Sequence, residues 1–117
     1  MKDRIAHQTF LDRIMTAQEA AALIRNKDVI ATSGFTGAGY PKAVPEALAQ
    51  RIEAAHAAGE PFTVRLLTGA STGPQLDGAL ARANAVAFRS PYNGDTAMRA
   101  RINEGSTLYL DTHLGQV

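Results

Sequence analysis

Apolar residues along this chain alternate between two patterns. Four short, continuous runs read as strands: Val29-Ile30-Ala31-Thr32, Thr63-Val64-Arg65-Leu66-Leu67-Thr68, Ala85-Val86-Ala87-Phe88 and Thr107-Leu108-Tyr109-Leu110-Asp111. The stretches between them have helical spacing. Thr16-Ala17-Gln18-Glu19 has the form of a capping box, residues 20–25 continue that helix, and Asn26-Lys27-Asp28 stops it. Pro45 suits a first helical turn, residues 46–58 space Leu48, Ile52 and Ala55 along one side, and Gly59 ends the run. Further helices are expected over residues 75–83 and 96–104, and residues 1–15 form a leading arm or a short helix. Alternating strands and helices with no hairpin signal predict an α/β fold, a parallel sheet with flanking helices on both faces. The loops at residues 33–41, 69–74 and 90–95 all follow strands, so they converge on the carboxyl edge, where open parallel sheets bind ligands.

Length and composition place the chain among ordinary globular proteins. It has 117 residues, 45% hydrophobic and 20% charged, enough for one domain and too few for a two-domain enzyme. Alanine supplies 22 of the 53 hydrophobic residues, so the core is thin for a small domain. The chain also stops a few residues past its fourth strand with no closing helix, and it is expected to be a truncated unit of something larger. A net charge of +1 without a block of one sign argues against nucleic acid. The absence of cysteine excludes disulfides, zinc ribbons and thiol nucleophiles and fits a reducing compartment. No signal sequence or run of about eighteen apolar residues is present, so a cytoplasmic location without membrane contact is expected.

Candidate chemistry lies in the loops. Gly69-Ala70-Ser71-Thr72-Gly73 matches Gly-x-Ser-x-Gly between a strand and a helix, with Asp95, Asp111 and His113 downstream. Ser71 therefore has three readings: a nucleophile on a sharp turn, a helix cap, or a ligand-binding hydroxyl. Ser33-Gly34-Phe35-Thr36-Gly37-Ala38-Gly39 is neither a dinucleotide fingerprint nor a phosphate loop, because Tyr40-Pro41 stands where Lys-Ser is needed. Its small residues either let backbone amides approach an oxyanion or carboxylate, or serve only the bends of a long connection. His7, His56 and His113 are scattered, and Asp111 with His113 lacks a third metal ligand. Arg89, Arg99 and Arg101 flank the third loop, as anion-gripping groups or as surface residues. None of the five glutamates falls on the loop edge.

Several runs together resemble the acetyl-CoA hydrolase/transferase family, and within it the bacterial succinyl-CoA:acetate CoA-transferases, which are class I CoA-transferases. They are Thr32 through Lys42, Thr68-Gly69-Ala70-Ser71-Thr72-Gly73-Pro74-Gln75-Leu76-Asp77-Gly78, Phe88-Arg89-Ser90-Pro91-Tyr92-Asn93 and the closing His113-Leu114-Gly115-Gln116-Val117. The likeness runs from about residue 16 to the end. It implies that residues 1–117 are the amino-terminal part of the first of two similar α/β domains, with the active site between them. It further implies that a glutamate beyond Val117 attacks an acyl-CoA thioester, giving an acyl-glutamyl anhydride and then a glutamyl-CoA thioester, from which CoA passes to an acceptor carboxylate. This chain would supply substrate-binding positions only: Gly34, Phe35, Thr36, Gly37, Gly39, Ser71, Thr72, Gly73 and Asn93. It would carry no catalytic residue, metal or cofactor, coenzyme A being part of the substrate. The implied partners are an acyl-CoA, a small carboxylate, the rest of the enzyme and, in the full-length form, a second subunit. Gly94 departs from the family, whose members often carry Thr after the Asn. The competing reading is a small self-contained α/β binding module or a serine hydrolase using Ser71.

Overall fold

The computed structural model describes residues 2–112. Two 3₁₀ turns, Lys2–Arg4 and Gln8–Arg13, make up the leading arm. Helix α1 (Ala17–Ala21) starts at the expected capping box. The Glu19 amide donates to Thr16 Oγ1, and the Thr16 amide donates to Glu19 Oε1, both at 3.1 Å. It stops short of Arg25, and Lys27, at φ 74°, turns the chain into β1 (Val29–Ala31). Helix α2 (Ala43–Ala57) begins before Pro45, which occupies its third position. The missing proline N–H costs nothing there, because the first four amides of a helix have no intrahelical partner. β2 (Val64–Leu67) leads to a π-helical turn (Pro74–Gly78), in which the Gly78 amide reaches back to the Gly73 carbonyl at 3.1 Å, and this runs into α3 (Ala79–Arg82). β3 (Val86–Ser90) extends two residues beyond the expected Phe88. α4 (Thr96–Asn103) is capped by Asp95, whose carboxylate accepts the Met98 amide at 3.0 Å, and β4 (Leu108–Tyr109) follows.

The four strands form one parallel sheet in chain order, β1-β2-β3-β4. Because successive right-handed crossovers then advance the same way across the sheet, they place their helices on the same face. The expectation of helices on both faces fails for this reason. Register makes the asymmetry explicit. Ile30, Leu66, Arg89 and Tyr109 form one cross-strand row, and Val29, Arg65, Phe88 and Leu108 form the next, on the opposite side. An extra β3 residue, Ala87, sits at the irregularity between Val64 and Arg65 and keeps both Val86 and Arg89 on the helix side.

The core lies between the helices and the first of these faces, where Leu48, Ile52, Val64, Leu66, Leu76, Leu80 and Met98 are all 2% exposed or less. Alanines fill much of the rest, and an apolar pocket of about 220 Å³ remains between Ile24, Ile30, Val44 and Leu48. On the other face Val29 and Leu108 are 57% and 69% exposed. Among the described residues no helix is long and apolar enough to cross a membrane.

Candidate functional site

The three loops at the carboxyl edge meet, as their positions after the strands predict. Hydrogen bonds step across them in order: Thr32 N to Leu67 O at 2.9 Å, Ala70 N to Gly34 O at 3.0 Å, and Thr68 N to Ser90 O at 3.2 Å. The third loop is joined to β4 and the chain after it by the Asn93 amide on Tyr109 Oη and the Thr112 amide on the Pro91 carbonyl. Burial, and then the charge of Asp111, raise the Tyr109 phenol above its usual pKa, and its hydroxyl donates to Asp111 Oδ1.

Glycine is required here for contact between loops. A Cβ on Gly69 would overlap the Gly34 carbonyl oxygen, and one on Gly73 would lie 2.5 Å from the Tyr40 hydroxyl. Tyr40 is itself buried and donates to Gln75 Oε1, so the first loop is clamped onto the helix after the second. Gly69→Ala must separate two backbones, not displace a flexible side chain. It is expected to cost about 1–3 kcal/mol, read as a lowered melting temperature of the protein.

Ser71 is 4% exposed and lies where the second and third loops touch. Its Oγ accepts the Gly94 amide at 2.8 Å and directs its own hydrogen toward the Thr72 carbonyl at a long 3.3 Å. The hydroxyl fastens one loop to another and does not cap the following helix. Gly94 lacks the hydroxyl that a threonine would bring, but its backbone N–H makes the contact. A Cβ there would sit 3.4 Å from Ser71 Oγ.

Next to Ser71 is a buried polar cluster. The Thr72 amide and hydroxyl donate to Asp77 Oδ2 at 3.2 and 2.6 Å, and the Asp77 amide donates back to Thr72 Oγ1 at 3.1 Å. Arg89 grips the same carboxylate with Nε on Oδ1 at 2.7 Å and Nη2 on Oδ2 at 2.8 Å, and spends Nη1 on the Ser90 carbonyl at 2.7 Å. Asp77 and Arg89 are fully buried. Of the two sequence readings of Arg89, Arg99 and Arg101, anion grip or surface residue, the surface one holds for Arg99 and neither describes Arg89. Arg89 is consumed by Asp77, Arg101 holds the Ala81 carbonyl and Glu104, and Arg99 is exposed on α4. A carboxylate inside an apolar helical pattern and an arginine inside a strand were the available signals for the pair.

Of the expected binding positions, Gly34, Ser71, Thr72, Gly73 and Asn93 are brought together at the loop junction. Asn93 shapes the third loop by exchanging hydrogen bonds with the backbone of Asp95. Phe35, Thr36, Gly37 and Gly39 form an exposed rim, with a tight turn between Phe35 and Ala38. Among the described residues no hydrogen bond joins these four to the other loops.

The described residues do not support the nucleophile reading of Ser71, since none of their histidines binds its hydroxyl. His56 binds the Phe62 carbonyl, His7 pairs with Thr9, Asp95 caps α4, and His113 lies outside the described residues, as does the rest of the closing motif. No group of three or more metal-ligating side chains is found among the described residues.

Comparison with known proteins adds a family. The model of the acetyl-CoA hydrolase/transferase N-terminal domain matches residues 1–117. The chain is 47% identical to the propanoyl-CoA:succinate CoA transferase of Escherichia coli K12 over 103 residues, covering 88% of the chain and 21% of that protein. It is 42% identical to the succinyl-CoA:acetate CoA-transferase of Clostridium kluyveri over 114 residues, 97% of the chain and 21% of the relative. An acetyl-CoA hydrolase of Yarrowia lipolytica is 38% identical over 117 residues, again 97% of the chain and 22% of the relative. The chain thus spans about a fifth of the length of the curated relatives it matches.

Proposed function

Because the chain belongs to the acetyl-CoA hydrolase/transferase family, we propose that it forms one wall of the active-site cleft in a longer enzyme that moves coenzyme A from a short acyl-CoA to a carboxylate. The observation that carries this reading is the meeting of the three strand-end loops around Ser71, on a chain so similar to two CoA-transferases. Transfer is favoured over hydrolysis because the relatives named transferases are 47% and 42% identical, against 38% for the hydrolase. The covalent step falls to a glutamate outside this chain, and the loops described here orient the substrate beside it. Ser71 contributes its hydroxyl, whose long contact to Thr72 leaves the hydrogen available to the carboxylate or acyl oxygen.

The longer protein is tested with succinyl-CoA plus acetate and propanoyl-CoA plus succinate. Thioester exchange that depends on the acceptor is expected, and thioester loss that ignores it would overturn the reading. Ser71→Ala removes one hydrogen bond near developing negative charge. It is expected to cost about 1–3 kcal/mol, roughly ten- to hundred-fold in kcat, with measurable turnover remaining.

A further inference from the structure

We propose that Asp77, anchored by Arg89, is the positioning residue of this cleft: it fixes the Ser71 hydroxyl through Thr72 and links the second loop to the third. The inference rests on the functional reading above and adds residues that touch no substrate.

Three features carry it. First, Ser71 is held by its neighbours. Ala70 is pinned to the Gly34 carbonyl, and Thr72 is pinned at both its amide and its hydroxyl by a single Asp77 oxygen. Second, the constraint crosses to the third loop by a separate route. Arg89 lies on β3, binds both Asp77 oxygens and also takes the carbonyl of Ser90, the last residue before that loop. The pair that pins Thr72 thus also anchors the start of the loop whose Gly94 amide donates to Ser71 Oγ. Third, Arg89 sits where the sheet otherwise places apolar groups, in the row that begins Ile30 and Leu66, and both it and Asp77 are at zero exposure. A buried ion pair is a poor way to gain stability, since well-packed apolar residues of similar volume commonly do as well or better. Apolar residues cannot supply directed hydrogen bonds to Thr72 and Ser90, and this pair supplies them.

Replacing the whole pair separates positioning from packing. In the longer protein, Asp77→Leu combined with Arg89→Met removes both charges together. It is expected to melt within a few degrees of the parent while kcat falls about ten- to hundred-fold and KM for the acyl-CoA changes less than about two-fold. A folded double variant with parental kcat would overturn the proposal.

If the double variant does not fold, Thr72→Val decides. It keeps the ion pair and the Thr72 amide contact but loses both bonds of the hydroxyl, so the melting temperature is expected to drop by several degrees while kcat falls about ten-fold with KM unchanged. Thr72→Ser, which retains the hydroxyl, should recover most of the loss. Parental kcat in Thr72→Val would refute the role.

If the parent protein transfers no CoA, the functional reading falls and positioning is measured by hydrogen exchange instead. Faster exchange at the Ala70, Thr72 and Gly94 amides in Thr72→Val supports the proposal, and unchanged exchange overturns it.

Discussion

Assayed alone with succinyl-CoA and acetate, the 117-residue chain is expected to transfer no CoA above background. The proposed mechanism needs a glutamate that attacks a thioester at the carboxyl edge of the sheet, and among the described residues no glutamate lies there. Glu19 is committed to the capping box, Glu46 and Glu53 ride on α2, and Glu60 precedes β2 at the opposite end of the sheet. Glu104 ends α4, held below its ordinary pKa by hydrogen bonds from Ser106 and Arg101. Asp77, Asp95 and Asp111 lie near the loops, where they accept from Arg89, the Met98 amide and the Tyr109 hydroxyl respectively. Among the described residues no base is hydrogen-bonded to Ser71. Binding and orientation without a nucleophile cannot form the covalent intermediate, so the loss should be complete, unlike the partial loss in Ser71→Ala. Acceptor-dependent turnover by the purified chain, at a rate comparable with the longer protein, would show that the nucleophile is among these residues after all.

The order of elements was legible because each strand and helix carries a local signal. The capping box at Thr16 and Glu19, the run at Val64 to Leu67 and the Asp95 cap each depend on neighbours within a few positions. The meeting of the loops followed from topology alone, since parallel strands send every carboxyl end to one edge. What stayed hidden depends on partners far apart in sequence. Asp77 and Arg89 are twelve positions apart and meet only because the π-helical turn packs over β3. Gly69 and Gly73 are glycine because Gly34 and Tyr40 from another loop occupy the space beside them, a contact that no neighbouring residue signals. The bare sheet face was missed although Arg65 marks it. A charged residue alternating with Val64 and Leu66 is the pattern of a strand covered on one side only, which the flanking apolar residues obscured.

That bare face leads to the second large effect, in which the purified 117-residue chain self-associates and melts at low temperature. Val29, Phe88 and Leu108 share a cross-strand row with Arg65, Leu67 lies in the next row on the same side, and the Val29, Leu67 and Leu108 side chains are 57%, 37% and 69% exposed. Parallel sheets seldom leave a face to water, and the exposed apolar side chains on either side of Arg65 make this face a site of association. The core on the other face is rich in alanine and cannot offset the exposed side. Burying one such leucine contributes about 1.5–3 kcal/mol. Leu67→Lys with Leu108→Lys should therefore weaken self-association at least about a hundred-fold, because two such contributions are lost and like charges are brought together. Neither residue is among the buried core, so the substitutions leave the packing beneath the helices intact. Sedimentation velocity across a concentration series reads the effect directly. A parent chain that stays monomeric at high concentration and melts sharply and reversibly at high temperature would mean that this face tolerates water as it stands.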